Sequence, residues 1–175
     1  MVSDSQSFSL PRSDLLPRVT FRRPTEIHAA NVWELIAKCP PLDRNSLYCA
    51  LLLCTDFADT CVLAERAWTV VVWMSACRRP SDPLTLFIWQ IAVHPENTGV
   101  GKGLIISALN RPSCESVTQI KATVTLSNTT SKLLFAGVAQ DLGAPIRQAP
   151  WFDHEPHLQA FPPVYLPNTQ IGRQR

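Results

Sequence analysis

Residues Thr85 to Leu109 (TLFIWQIAVHPENTGVGKGLIISAL) constrain the fold of this chain more than any other stretch. The stretch starts with ten residues of apolar, β-branched and aromatic character. That run is too continuous for a strand that covers one face, so it predicts a central strand over Thr85–His94 buried on both faces. Pro95 ends it, because proline has no N–H to give to a sheet ladder. Gly99, Gly101 and Gly103 follow at alternate positions, half of the chain's six glycines within five residues. Leu104, Ile105, Ala108 and Leu109 then open a helix. A strand, a glycine-spaced loop and a helix start bring backbone N–H groups together where they can hold an anion. The stretch therefore predicts a phosphate cradle, in which the carboxylate of Gly101→Asp would meet the bound phosphate.

Two phosphate motifs are excluded. A Walker A loop aligned on Gly101-Lys102 puts Glu96 at its first position and Gly103 at its last. The dinucleotide fingerprint fails because the third glycine comes one residue early. What remains is x-x-G-x-G between a buried strand and a helix, which a mere turn also satisfies.

The 175 residues, 46% hydrophobic and 17% charged, suit one domain over 18–175 behind a flexible Ser- and Pro-rich leader, 1–17. A net charge of +2 is too small to argue for nucleic acid or membrane as the main partner. No apolar run approaches the roughly 18 residues of a membrane-spanning helix. The first residues lack the basic-then-apolar order of a signal peptide, so a cytoplasmic location is expected. The six cysteines show no C-x-x-C pair and no His–Cys ligand spacing. They read as buried free thiols, and no metal is expected.

In chain order, Arg18–Arg22 alternates as a first strand. Thr25 caps a helix whose packed face is Ile27, Ala30, Trp33 and Ala37, and Pro40-Pro41 ends it. LDRNSLYCALLLC is a second helix packed through Leu47, Ala50, Leu51 and Cys54, with Asp43 or Asn45 as its cap. Cys61–Glu65 and Thr69–Ala76 read as two strands joined without an Asn-Gly or Asp-Gly signal, and 78–83 as a turn-rich loop. After the glycine loop come a strand at Thr118–Thr125, a helix over Thr129–Leu142 capped at Ser127-Asn128, and a stop at Gly143. Six prolines crowd the remainder, where one or two short strands around Val164-Tyr165 fit, and 158–175 is an uncertain tail. The order β-α-α-β-β-β-α-β-α describes a mixed α/β domain.

That order, V-H-P-E before the glycines and the distal N-x-x-S-x-x-L-F from Asn128 to Phe135 resemble the GNAT superfamily of N-acetyltransferases. Within it, LDRNSLYCALLLC, FIWQIAVHP and PWFDHE are similar to the diaminobutyrate acetyltransferases of ectoine synthesis, over about Arg18 to His157. The resemblance implies a central mixed sheet flanked by about four helices and acetyl-CoA as co-substrate. Pantetheine would bond to the backbone of Ile91 and Val93 as an added strand does. The pyrophosphate would rest on the amides of Gly99, Gly101, Lys102, Gly103 and Leu104, in a loop opened by Thr98. Asn128 would contact the cofactor. The 4-amino group of L-2,4-diaminobutyrate would attack the thioester directly, with an N–H near Val93 for the oxyanion. A homodimer is implied as well.

Three residues are candidates for the amine side. Asp43 can hold the substrate cation or cap a helix. Trp89 can wall the pocket or fill the core, and Glu155 can recognise an ammonium or stand as a solvated loop carboxylate. His94, His154 and His157 read as structural or surface groups.

Four departures from the family stand out. Thr98 replaces the usual Arg or Gln. Phe135 stands where many superfamily members carry a proton-donating Tyr, as it tends to in the ectoine enzymes. The turn before Thr69 lacks Asp-Gly. The acidic, glycine-containing C-terminal segment gives way to Leu158–Tyr165, and a substrate-facing carboxylate with it. Other readings are an acetyltransferase for another small amine and a non-catalytic acetyl-CoA-binding module.

Overall fold

The computed structural model describes residues 19–66, 68–97, 99–125 and 127–148, together with the strand at 163–165. The leader, Thr98, Glu155, His154 and His157 lie outside the described residues. The elements run β1 (Thr20–Arg22), α1 (Ala29–Ala37), α2 (Leu47–Cys54), β2 (Val62–Arg66), β3 (Thr69–Arg79), β4 (Asp82–Val93), α3 (Gly101–Leu109), β5 (Gln119–Thr125), α4 (Thr129–Asp141) and β6 (Pro163–Tyr165). The strands form one six-stranded sheet in sequence order. Every neighbouring pair is antiparallel except β4 with β5. That one parallel pair needs a crossover, which α3 supplies.

Alternating residues feed two cores. Val62, Ala64, Met74, Leu86 and Ile88 join α3, α4 and β5 on one face. Cys61, Leu63, Val70, Trp73 and Ala92 meet α1 and α2 on the other. Burying Trp73 completely and the aliphatic side chains around it contributes on the order of 1.5–3 kcal/mol each.

Several local expectations are corrected. α1 buries Val32, Leu35 and Ile36, whereas Ile27 and Ala30 are exposed. A single 3-10 turn at Glu26–His28 precedes it and rotates the face, tied by the Thr25 N–H donating to His28 Nδ1 at 2.9 Å. The cap of α2 is Ser46, whose Oγ accepts from the Cys49 N–H at 3.1 Å, and neither Asp43 nor Asn45. α2 packs through Ala50, Leu53 and Cys54, while Leu47 and Leu51 are exposed.

The loop expected at 78–83 is a hairpin: β3 continues to Arg79, which pairs with Asp82. The β2–β3 turn has no glycine, and Trp68 takes the left-handed conformation itself at φ 65°. Asn128 caps α4, accepting from the Ser131 N–H at 2.9 Å, and β6 supplies a short last strand at the place expected for one. Of the six thiols, Cys54, Cys61 and Cys114 are buried and the other three partly so; all are free.

Candidate active site

β4 is not buried on both faces along its length. Ser75 pairs with Gln90 and Ala76 with Ile88, so Trp89 is an extra residue on β4, a bulge. The bulge turns Trp89 out of the core to 50% exposure, which removes the core-aromatic reading and leaves its ring available to a ligand.

The bulge also ends the parallel pairing. β4 and β5 are joined from Thr85↔Gln119 to Ile88↔Ala122 and no further. Beyond it, the His94 N–H donates to the Val71 carbonyl on β3 at 2.9 Å. Strand groups alternate in direction, so Gln90 and Ala92 also face β3, while Ile91 and Val93 turn their N–H and C=O towards the open side. Among the described residues no strand pairs with this edge, and the slot beside it can take an extended amide-bearing chain. One feature of the slot was not read from the sequence: the Cys39 thiol donates to the Val93 carbonyl at 3.4 Å. Burial pushes the Cys39 thiol up, which keeps the donor proton in place.

The glycine loop leads from this edge. A 3-10 turn at Pro95–Asn97 reverses the chain, and Gly99 at φ 89° takes a conformation that favours glycine. α3 then starts after Val100, which offers no side-chain cap. Its first N–H groups, those of Gly101, Lys102 and Gly103, have no carbonyl of the same helix to bond. They carry the positive end of the helix dipole.

The glycines at 101 and 103 have a different cause. A Cβ on Gly103 would stand 2.4 Å from the Phe21 ring, and one on Gly101 would stand 3.1 Å from Leu134. Their absent side chains admit β1 and α4, and a Cβ at 101 would press on Leu134. Leu104 is fully buried, and its amide faces the carbonyl of the N-cap residue Val100 one turn back. Lys102 pairs with Asp141 at 2.6 Å across α3 and α4. Asn128 commits Oδ1 to its cap and keeps Nδ2 for other partners.

Asp43 sits in the loop between α1 and α2. Gln90 Nε2 donates to its carbonyl at 2.7 Å, Trp33 Nε1 donates to Asn45 at 2.8 Å, and the Arg44 guanidinium stacks 3.2 Å over the Trp33 ring. These contacts pin the loop to β4 one residue from the bulge, with the Asp43 carboxylate exposed and relieved of capping duty. Gln90 carried a signal in the sequence, as the one amide in a mostly apolar strand. Phe135 is buried in the core and offers no proton donor. His94 Nδ1 receives only a long 3.5 Å bond from the Glu96 N–H. Among the described residues no group of three His, Cys, Asp or Glu side chains could hold a metal, and no helix is long and apolar enough to cross a membrane.

A sheet split at a bulged β4 beside an uncapped helix start is the architecture of the GNAT acetyltransferases. A GNAT-family acetyltransferase from Streptococcus pneumoniae superposes with a TM-score of 0.64 at 18% identity, over 89% of this chain and all of the other, a likeness of fold. No family model matches the chain. Whole-sequence comparison goes further. The L-2,4-diaminobutyric acid acetyltransferase of Methylotuvimicrobium alcaliphilum is 39% identical over 151 residues, 85% of this chain and 88% of that protein. The Vibrio cholerae enzyme of the same name is 37% identical over 141 residues, 79% and 82% of the two chains. The diaminobutyrate acetyltransferase EctA of Paenibacillus lautus, solved with L-2,4-diaminobutyric acid and coenzyme A, superposes with a TM-score of 0.79 at 33% identity, covering 90% of this chain and 98% of the other. The chain belongs to the L-2,4-diaminobutyric acid acetyltransferase family.

Proposed function

We propose that the protein transfers the acetyl group of acetyl-CoA to the 4-amino group of L-2,4-diaminobutyrate, a step towards the osmoprotectant ectoine. The observation that carries the reading is the β4 edge at Ile91 and Val93, with which no described strand pairs, next to an α3 start without a side-chain cap. In it, Ile91 and Val93 hold the pantetheine arm as an added strand. The amides from Gly99 to Gly103 take the diphosphate, with Thr98, Lys102 and Asn128 at its margin. Asp43 and Glu155 hold the cationic substrate, and Trp89 walls the pocket.

The 4-amino group, once it has shed a proton, attacks the thioester carbonyl carbon. The Val93 N–H donates to the oxygen that gains charge; the C–S bond then breaks, and the proton that the attacking nitrogen loses as the amide forms passes to the departing sulfur, leaving coenzyme A as the free thiol. No acyl-enzyme forms. Asp43 contributes position and charge, since an ammonium held beside the bulge places its nitrogen near the thioester. Residues 18–175 act as one domain, and the enzyme works in the cytoplasm as a homodimer. The test is release of free thiol when the protein meets acetyl-CoA and the diamine. Thiol above background with L-2,4-diaminobutyrate, and far less with other small amines, is expected. Coenzyme A binding without turnover on any amine would contradict the reading.

A further inference from the structure

The bulge at Trp89 does more than end the parallel pairing. Before it, Leu86 and Ile88 send their side chains into the core shared with α3 and α4. Beyond it, Ile91 and Val93 pack on that core, while Ala92 belongs to the core under α1 and α2. The extra residue thus reverses the alternation of β4. Gln90 is the first residue after the reversal. In a regular strand its side chain would enter the core beside Leu86 and Ile88. The bulge turns its amide to the α1–α2 side instead, where Nε2 donates to the Asp43 carbonyl at 2.7 Å.

The loop between α1 and α2 meets β4 a second time. The Cys39 thiol donates to the Val93 carbonyl at 3.4 Å, and the Leu42 N–H closes a turn on the Cys39 carbonyl at 3.0 Å. Gln90 and Val93 are separated by about 10 Å of strand, with Ile91 between them. The loop is therefore tied at both ends of the stretch of β4 that offers its edge to an acyl chain.

We propose that Gln90 is a specificity-determining positioning residue: by tying Asp43 to the strand, it fixes the distance from the Asp43 carboxylate to the edge at Ile91 and Val93, and with it the length of diamine that is acetylated. The inference rests on the reaction proposed above. The 2-ammonium keeps its charge while the 4-amine attacks, so it is the cation that stays at Asp43, and the two nitrogens span a fixed gap. L-2,3-diaminopropionate is one methylene shorter than L-2,4-diaminobutyrate, and L-ornithine is one longer. Misplacing a reacting atom by about 1 Å costs up to about a hundredfold in rate, so a gap held to within a methylene selects among the three.

Gln90→Met keeps the length of the side chain and removes the donor. The carbonyl of exposed Asp43 then turns to water, so the loop is released while both cores stay filled. The test is kcat/KM for the three amines, with a coenzyme A titration as the check on the fold. The unaltered protein is expected to prefer L-2,4-diaminobutyrate to either homologue by about tenfold or more. In Gln90→Met the preference over L-ornithine is expected to fall by about fivefold or more, with coenzyme A affinity within about twofold. Trp33→Phe frees the same loop at Asn45 without touching β4, so it is expected to lower the preference too and carries the test if Gln90→Met does not fold. An unmoved preference, with activity either intact or lowered equally on all three amines, would overturn the proposal. So would equal use of the three amines by the unaltered protein, or loss of coenzyme A affinity along with activity in both variants. An unaltered protein that turns over none of the amines overturns the proposed reaction and this inference with it; one active on L-2,4-diaminobutyrate whose variants keep its preference overturns this inference alone.

Discussion

Asp43 and Gly103 show how one residue's role follows from what its neighbours already do. Ser46 takes over the cap of α2, so the Asp43 carboxylate is spare while its carbonyl is fixed to Gln90. Asp43→Asn is therefore expected to raise KM for the diamine by about tenfold or more, a loss of about 1.4 kcal/mol or more, with coenzyme A affinity unchanged. Steady-state kinetics and a coenzyme A titration check this, and a joint loss would assign Asp43 to folding. Gly103 faces the Phe21 ring, where an added methyl has no room. Gly103→Ala gains about 1 kcal/mol of helix preference but overpacks the site at a cost of about 1–3 kcal/mol. A net loss of about 1 kcal/mol in urea unfolding is expected, with coenzyme A affinity nearly intact; a large affinity loss at unchanged stability would show that the missing side chain at 103 serves the ligand and not the packing.

Among the elements, the turns and caps separate what a sequence states from what packing decides. The β2–β3 connection holds Trp68 at φ 65° and 89% exposed, so its ring gives little packing in return for the strained backbone. Trp68→Gly should stabilise by about 0.5–1 kcal/mol, and Ser46→Ala should destabilise by about 1 kcal/mol through the lost cap of α2, both read from unfolding midpoints. Element order was legible, and element type too except at 78–83, because β4 and α3 are apolar runs bounded by Pro95 and glycine. Faces were legible less often. Ile27, Ala30, Trp33 and Ala37 make as good a helical stripe as Val32, Leu35 and Ile36 until the Glu26–His28 turn sets the phase. The Trp89 bulge left no trace in the text, since an extra residue in a strand looks like any other. Only the partner strand counts it, yet the slot depends on it. The cradle was legible as glycines, although two of the three serve packing against β1 and α4.

At the scale of the molecule, the two cores that hold the sheet also set its response to pH. Burial pushes Cys61 up to about 12 and Cys54 up to about 11, against 9.0 for an unperturbed thiol. Above pH 9 the unfolded chain sheds protons that the folded chain retains, so stability falls as pH rises towards 12. Buried His28 lies below its ordinary 6.5, chiefly through desolvation. Below pH 6.5 the unfolded state takes up a proton first, and stability falls as pH drops. Urea midpoints are expected to peak between about pH 6.5 and 9, with the alkaline decline shallower in Cys61→Ala; an unchanged alkaline slope would remove Cys61 from the account. The central claim concerns the whole arrangement, a strand edge and a helix start acting together on one ligand. Amide NMR during titration with coenzyme A tests it most directly. Shifts concentrated at Ile91, Val93 and the amides from Gly99 to Gly103 are predicted, and binding that leaves those amides unmoved would contradict it.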